Sequence, residues 1–177
     1  MRLSNRNKAP YYNFLLTLIN VIIVLGIFAF ILEKTRLAMF GGEEVLFLII
    51  PFCLLLLFIL RGRQIFEYDS DGEAVNFKNR NIIPFLTKEA KDEFPKYKLI
   101  SYEVVNAILF KKLFIKIKSK KDHAAIIVKY DISYLTIKEI KDLKVSLSKI
   151  VKANREAKRE GKTQGQLLKN IHTRKNP

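Results

Sequence analysis

Hydrophobic positions along this chain follow two unlike regimes. Residues 14–32 form an unbroken apolar stretch of 19 residues without a charge. At about 1.5 Å rise per residue, a helix of that length spans roughly 28 Å, close to the hydrocarbon thickness of a bilayer. Tyr11 and Tyr12 precede it, where aromatic rings favour a membrane interface. A second run, residues 45–60, reads VLFLIIPFCLLLLFIL. As a helix it would span about 24 Å, and its Pro51 removes one helical hydrogen bond, which transmembrane helices tolerate. The pattern predicts a membrane hairpin over residues 11–60, with spans at about 12–32 and 44–60, the second kinked or extended backwards through Gly41 and Gly42. The first run outlasts the apolar core of a signal peptide and ends FAFILEK with no small-residue cleavage pattern, so an uncleaved anchor is expected. Thr17 and Asn20 are the polar positions of the first span, expected to bond between helices.

Beyond residue 60 the apolar period shortens to two. Residues 64–68 and 73–77 flank Asp69, Ser70, Asp71 and Gly72, a β-hairpin signal in which Gly72 supplies a positive φ. Residues 82–85, interrupted by Pro84, suit a short or edge strand, and Phe94-Pro95 marks a break. Residues 99–108, 113–119 and 124–130 read as further strands; in the second of these Leu113, Ile115 and Ile117 face one way and Lys116 and Lys118 the other. Then Thr136 and Glu139 form a capping box, followed at helical spacing by Ile140, Leu143, Leu147, Ile150 and Val151. This predicts an amphipathic helix over roughly 137–158 covering the sheet, with a basic disordered tail over 159–177.

Charge sharpens the division. The formal net charge is +15, but residues 61–177 hold 27 basic and 14 acidic side chains, whereas residues 1–60 hold 5 and 3. Arg2, Arg6 and Lys8 precede the first run, and Arg61 and Arg63 follow the second. The excess of Lys and Arg on these flanks predicts both termini in the cytoplasm, with residues 1–10 a basic N-terminal segment and 61–158 a cytoplasmic domain of an inner-membrane, multi-pass protein.

Three segments carry a family resemblance: RGRQIFEYDSDGEAVNF directly after the second run, KKLFIKIKSKK, and ISYLTIKEIKDLKVSLSKI. In element order the chain resembles bacterial membrane-anchored pleckstrin-homology-like (PH-like) proteins over residues 12 to about 155. The resemblance implies an α+β membrane protein: two transmembrane helices, then a mostly antiparallel partial barrel or sheet capped by one amphipathic C-terminal helix. It also implies a binding or assembly module, and it brings no catalytic residues.

Candidate chemistry is sparse. One Cys excludes an intramolecular disulfide framework, and two His make a histidine-based centre improbable. Cys53 lies within the second apolar run, where a buried, inert thiol is expected. His123 and His172 read as surface residues at a turn and in the tail. Glu67 to Gly72 echoes a calcium loop, but Lys78 stands where that loop needs a bidentate Glu. No enzyme, metal or cofactor is expected. The informative residues are cationic: Arg61 and Arg63 at the membrane surface; Lys111, Lys112, Lys116, Lys118, Lys120 and Lys121 around one strand; Lys152, Arg155, Lys158 and Arg159 on the helix. Near an anionic leaflet each contributes about 1 kcal/mol of attraction. The expected function is a non-catalytic module that binds anionic lipid head groups or a partner protein at the cytoplasmic surface. The alternatives are a structural subunit of a homo-oligomeric membrane assembly and a membrane-tethered nucleic-acid binder. The last is disfavoured by the absence of a recognition motif and the excess of Lys over Arg.

Overall fold

Three residues ahead of the first apolar run form a strand. The computed structural model of the chain describes residues 1–37, 43–83, 85–86, 88–119 and 125–175, with side chains at all of these except 36–37 and 162–175. Strand β1 (Arg2–Ser4) pairs antiparallel with β2 (Ile65–Asp69), on the far side of both apolar helices in sequence. The basic segment expected over residues 1–10 is therefore partly a sheet edge. Leu3 reaches the core, and Arg2 lies 3.0 Å from Asp69 and 3.2 Å from Asp71. Asn5 continues the pairing with its side chain. Its Nδ2 donates to the Gln64 carbonyl at 2.8 Å, and its Oδ1 accepts from the Phe66 N–H at 2.8 Å. Whatever side of a bilayer holds residues 65–69 thus holds residues 2–5 as well.

Between the two strands lie helices α1 (Ala9–Leu32) and α2 (Leu46–Leu60), each part of a helical stretch long and apolar enough to cross a membrane. Their apolar side chains are mostly exposed, among them Phe14, Val24, Phe28, Ile50 and Phe52. That distinguishes them from the core helices of a soluble fold, whose apolar faces are covered. The helices pack closely at Gly26, where an added Cβ would stand 2.3 Å from the Phe47 carbonyl oxygen. Phe47 is four residues before Pro51, whose ring has no N–H to offer that carbonyl. Proline withholds the intrahelical donor, and glycine lets α1 approach the same oxygen. Thr17 departs from expectation: its hydroxyl donates to the Asn13 carbonyl of its own helix at 3.0 Å. Cys53 also departs from it, being exposed on the helix surface rather than buried.

The remaining strands are β3 (Ala74–Arg80), β4 (Ala90–Pro95), β5 (Leu99–Asn106), β6 (Lys111–Lys118) and β7 (Ala125–Asp131). They form two antiparallel sheets, ordered β1-β2-β3-β4 and β5-β6-β7. Gly72 turns the β2–β3 hairpin with φ of 71°. Residues 82–83 and 85–86 are bends and turns, not the expected strand, and Pro84 lies outside the described residues. The strand forms later, as β4, in the segment where Phe94-Pro95 suggests a break. Its edge position tolerates a terminal proline, because the missing N–H is not needed by a second neighbour. Lys111 and Lys112 start β6; residues 107–110 make the turn.

The core sits between the sheets and helix α3 (Ile137–Lys175). Phe77 of β3 stacks on Tyr130 of β7 with centroids 4.7 Å apart, joining the two sheets. Burial raises the Tyr130 phenol well above its ordinary value, reinforced by its 2.8 Å hydrogen bond to Asp92. The helix buries Leu143, Leu147 and Val151, the expected stripe. It continues past 158 through the segment expected to be irregular. Gly161 and Gly165 each cost about 1 kcal/mol of helix propensity, but no proline interrupts the chain before Lys175.

Candidate functional site

The hairpin and the sheets meet around one tyrosine. Tyr134 lies in the turn between β7 and α3. Its ring packs edge-on against Tyr12 of α1 at 5.1 Å and Phe58 of α2 at 6.1 Å, with the Arg61 guanidinium 4.9 Å from its centroid. Its hydroxyl donates to the Phe58 carbonyl at 3.0 Å, and the Tyr12 hydroxyl donates to the Tyr134 carbonyl at 3.3 Å. Burial raises the Tyr134 phenol, against the lowering influence of Gln64 and Arg61, so it stays a neutral donor. Beside it the Lys8 ammonium lies 2.9 Å from Glu139 of the capping box. Burial alone would raise the Glu139 carboxyl, but hydrogen bonds from Lys8 and Thr136 outweigh it and hold the group below the usual carboxylate range.

A groove of about 610 Å³ opens at this junction. Leu15, Leu18 and Ile22 of α1 and Leu54 and Leu57 of α2 form its apolar wall. Residues 107–110 close the other side, and Arg61, Lys111, Ser133 and Tyr134 form a polar rim. The Ser133 hydroxyl accepts from the Lys111 N–H at 2.8 Å, while the Ile132 N–H donates to the Lys111 carbonyl at 2.9 Å, so the β6 terminus is fixed at the mouth. Next to it the Lys112 ammonium stands 4.3 Å from the Phe110 ring centroid. Burial lowers its proton affinity, and the neighbouring Lys129 lowers it further, against the opposite pull of Asp131. An anion placed there would relieve that crowding.

No protein-family model, curated protein or solved structure matches this chain.

Of the twelve cations singled out in the sequence, only three stand at or beside the groove among the described residues. Arg61 and Lys111 rim the groove, with Lys112 beside it. Arg63 lies close in sequence, but its Nη1 donates to the Asn79 carbonyl at 2.9 Å and ties strand ends together. Lys116 and Lys118 are exposed at the other end of β6, and Lys118 is about 23 Å along the strand from Lys111 at ~3.3 Å per residue. That exceeds the ~8 Å Debye length at physiological salt. On α3, Lys152 pairs with Glu156 at 3.9 Å, and Arg155, Lys158 and Arg159 are exposed. Arg155 is about 24 Å along the helix axis from Glu139. Lys120, Lys121 and His123 lie outside the described residues, as does the side chain of His172. Sequence reasoning missed Tyr134, Ser133, Lys129 and the apolar turn at Ile108 and Leu109. Only the last left a signal, an apolar ILF directly before two lysines.

Among the described residues no group of three or more His, Cys, Asp and Glu is placed to hold a metal ion. The described residues that line the groove include no carboxylate or imidazole.

Proposed function

We propose that this chain is a non-catalytic, membrane-anchored PH-like module that holds an anionic lipid head group at the groove between its hairpin and its sheets. The observation that carries the reading is the groove's graded chemistry: aliphatic walls from the two helices, then a cationic rim of Arg61 and Lys111. An acyl chain fits the first, and a phosphate the second. Two antiparallel sheets of four and three strands with a C-terminal helix support the PH-like description. The shared sheet of β1 and β2 supports a hairpin that crosses twice, and the flanking Lys and Arg favour a cytoplasmic domain of an inner-membrane protein.

The test uses the full chain, because the sheet is incomplete without residues 2–5. Protein in vesicles of mixed phosphatidylglycerol and phosphatidylcholine is extracted gently, and the retained lipid is measured by native mass spectrometry. Two cations at about 1 kcal/mol each predict a preference of roughly 30-fold for the anionic lipid. Arg61→Gln with Lys111→Gln should abolish the preference, whereas Lys116→Gln with Lys118→Gln should leave it intact. Equal retention of both lipids by the unaltered chain would reject the reading.

A further inference from the structure

The turns of the sheets differ in character between their two ends. At the end away from the hairpin, the β2–β3 connection is Ser70, Asp71, Gly72 and Glu73, all polar or glycine. At the hairpin end the connections are apolar and unpacked. After β3, Phe85 is 96% exposed and Leu86 40%; after β5, Ile108 is fully exposed and Leu109 half-exposed. Ile137, at the start of α3, is 82% exposed at the same end. The roots of both loops are tied to the hairpin. Arg80 pairs with Ile65, five residues after α2 ends, and the Ile82 N–H donates to Gln64 Oε1 at 3.0 Å. Ile108 and Leu109 line the groove with α1 and α2. Basic residues bracket the tips in sequence: Arg80 and Lys88 around the first, Lys111 and Lys112 after the second.

We infer that these two loop tips dip into the bilayer beside the hairpin, so that the domain rests on the lipid surface at three points rather than swinging from its anchor. The inference rests on the reading that the hairpin spans a membrane, and it goes beyond head-group binding in the groove. The occupant is lipid because the tips lie at the same end of the domain as the exposed apolar helices, and because cations flank each tip in sequence, as phosphates at a lipid surface would require. Apolar side chains exposed there gain by leaving water, and isolated apolar turns in water have no such compensation.

The chain contains no Trp, so a single introduced indole reports its own surroundings. Four full-length variants, Phe85→Trp, Ile108→Trp, Phe52→Trp and Tyr97→Trp, are reconstituted in phosphatidylcholine–phosphatidylglycerol vesicles containing lipids brominated at chosen acyl depths. Phe52 is exposed within α2 and reports the span; Tyr97 is exposed at the opposite end of the domain. Phe85→Trp and Ile108→Trp should show blue-shifted emission quenched most strongly by shallow bromines, with Phe52→Trp quenched by deep ones and Tyr97→Trp unaffected. Tips that behave like Tyr97→Trp while Phe52→Trp is quenched would overturn the loop inference and leave the hairpin reading standing. An unquenched Phe52→Trp would sink the hairpin reading itself. Blue-shifted tips that no bromine quenches would show burial against protein, a second copy or another partner, and would equally reject lipid as the occupant.

Discussion

Replacing Asn5 by Ala isolates the energetic worth of the strand that precedes the hairpin. The Asn5 side chain is fully buried and bonds two backbone groups of the β2 approach, the Gln64 carbonyl and the Phe66 N–H. Alanine satisfies neither. An orphaned buried polar group costs about 1–3 kcal/mol, so the pair predicts a loss of roughly 2–6 kcal/mol. For a domain of this size, 1 kcal/mol shifts Tm by about 3–6 °C, giving a drop on the order of 10 °C or more. Full-length protein in detergent micelles, followed by far-ultraviolet circular dichroism during heating, measures it. Ser4→Ala is the matched control, because Ser4 is exposed and its hydroxyl only accepts from the Arg6 N–H. It should shift Tm by no more than a degree or two. An Asn5→Ala variant that melts with the Ser4→Ala control would show that β1 rests on the sheet without stabilising it.

Three further outcomes are expected. Gly26→Ala must push the helices apart at the Phe47 carbonyl, a cost of about 1–3 kcal/mol, whereas Gly161→Ala meets nothing within 4 Å and should stabilise α3 by up to about 1 kcal/mol; unchanged melting of Gly26→Ala would refute the close approach. Glu139 has a folded pKa below that of the unfolded chain, which is about 4.3. Its stabilising contribution is therefore complete above that value and fades as the pH falls through the folded pKa. The Tm gap between the unaltered chain and Glu139→Gln should narrow between about pH 5 and pH 3, and a gap independent of pH would contradict the Lys8–Glu139 tether.

Periodicity made some parts of this fold readable in sequence and hid others. The apolar runs stood out because no charge interrupts residues 14–32 or 45–60. The capping box was equally plain, and its two reciprocal bonds are present: the Thr136 N–H to Glu139 at 2.7 Å and the Glu139 N–H to Thr136 Oγ1 at 3.2 Å. β4 was hidden because its more buried side carries Ala90, Asp92 and Phe94: burial alternates along the strand, but the charged Asp92 breaks the hydrophobic alternation in the sequence. β1 is three residues long and finds its partner more than sixty positions away, beyond any local pattern. The groove draws on α1, α2, the β5–β6 turn and the β7–α3 turn. None of these looks like a site by itself, so charge clusters in sequence pointed equally to Lys111 and to the remote Lys118.

The insertion of the hairpin between paired strands makes the order of assembly part of the architecture. Asn5 leaves the ribosome 59 positions before Gln64, the residue it bonds. At about 5–20 residues per second, that is a delay of roughly 3–12 s. Throughout it, β2 is not yet available to pair with β1. A hairpin that crossed once instead of twice would leave β1 and β2 on opposite faces. The sheet edge would then stay open, leaving the outer side of β2 unpaired. Closure of this small sheet therefore requires β1 and β2 to lie on the same face of any bilayer that the two helices span.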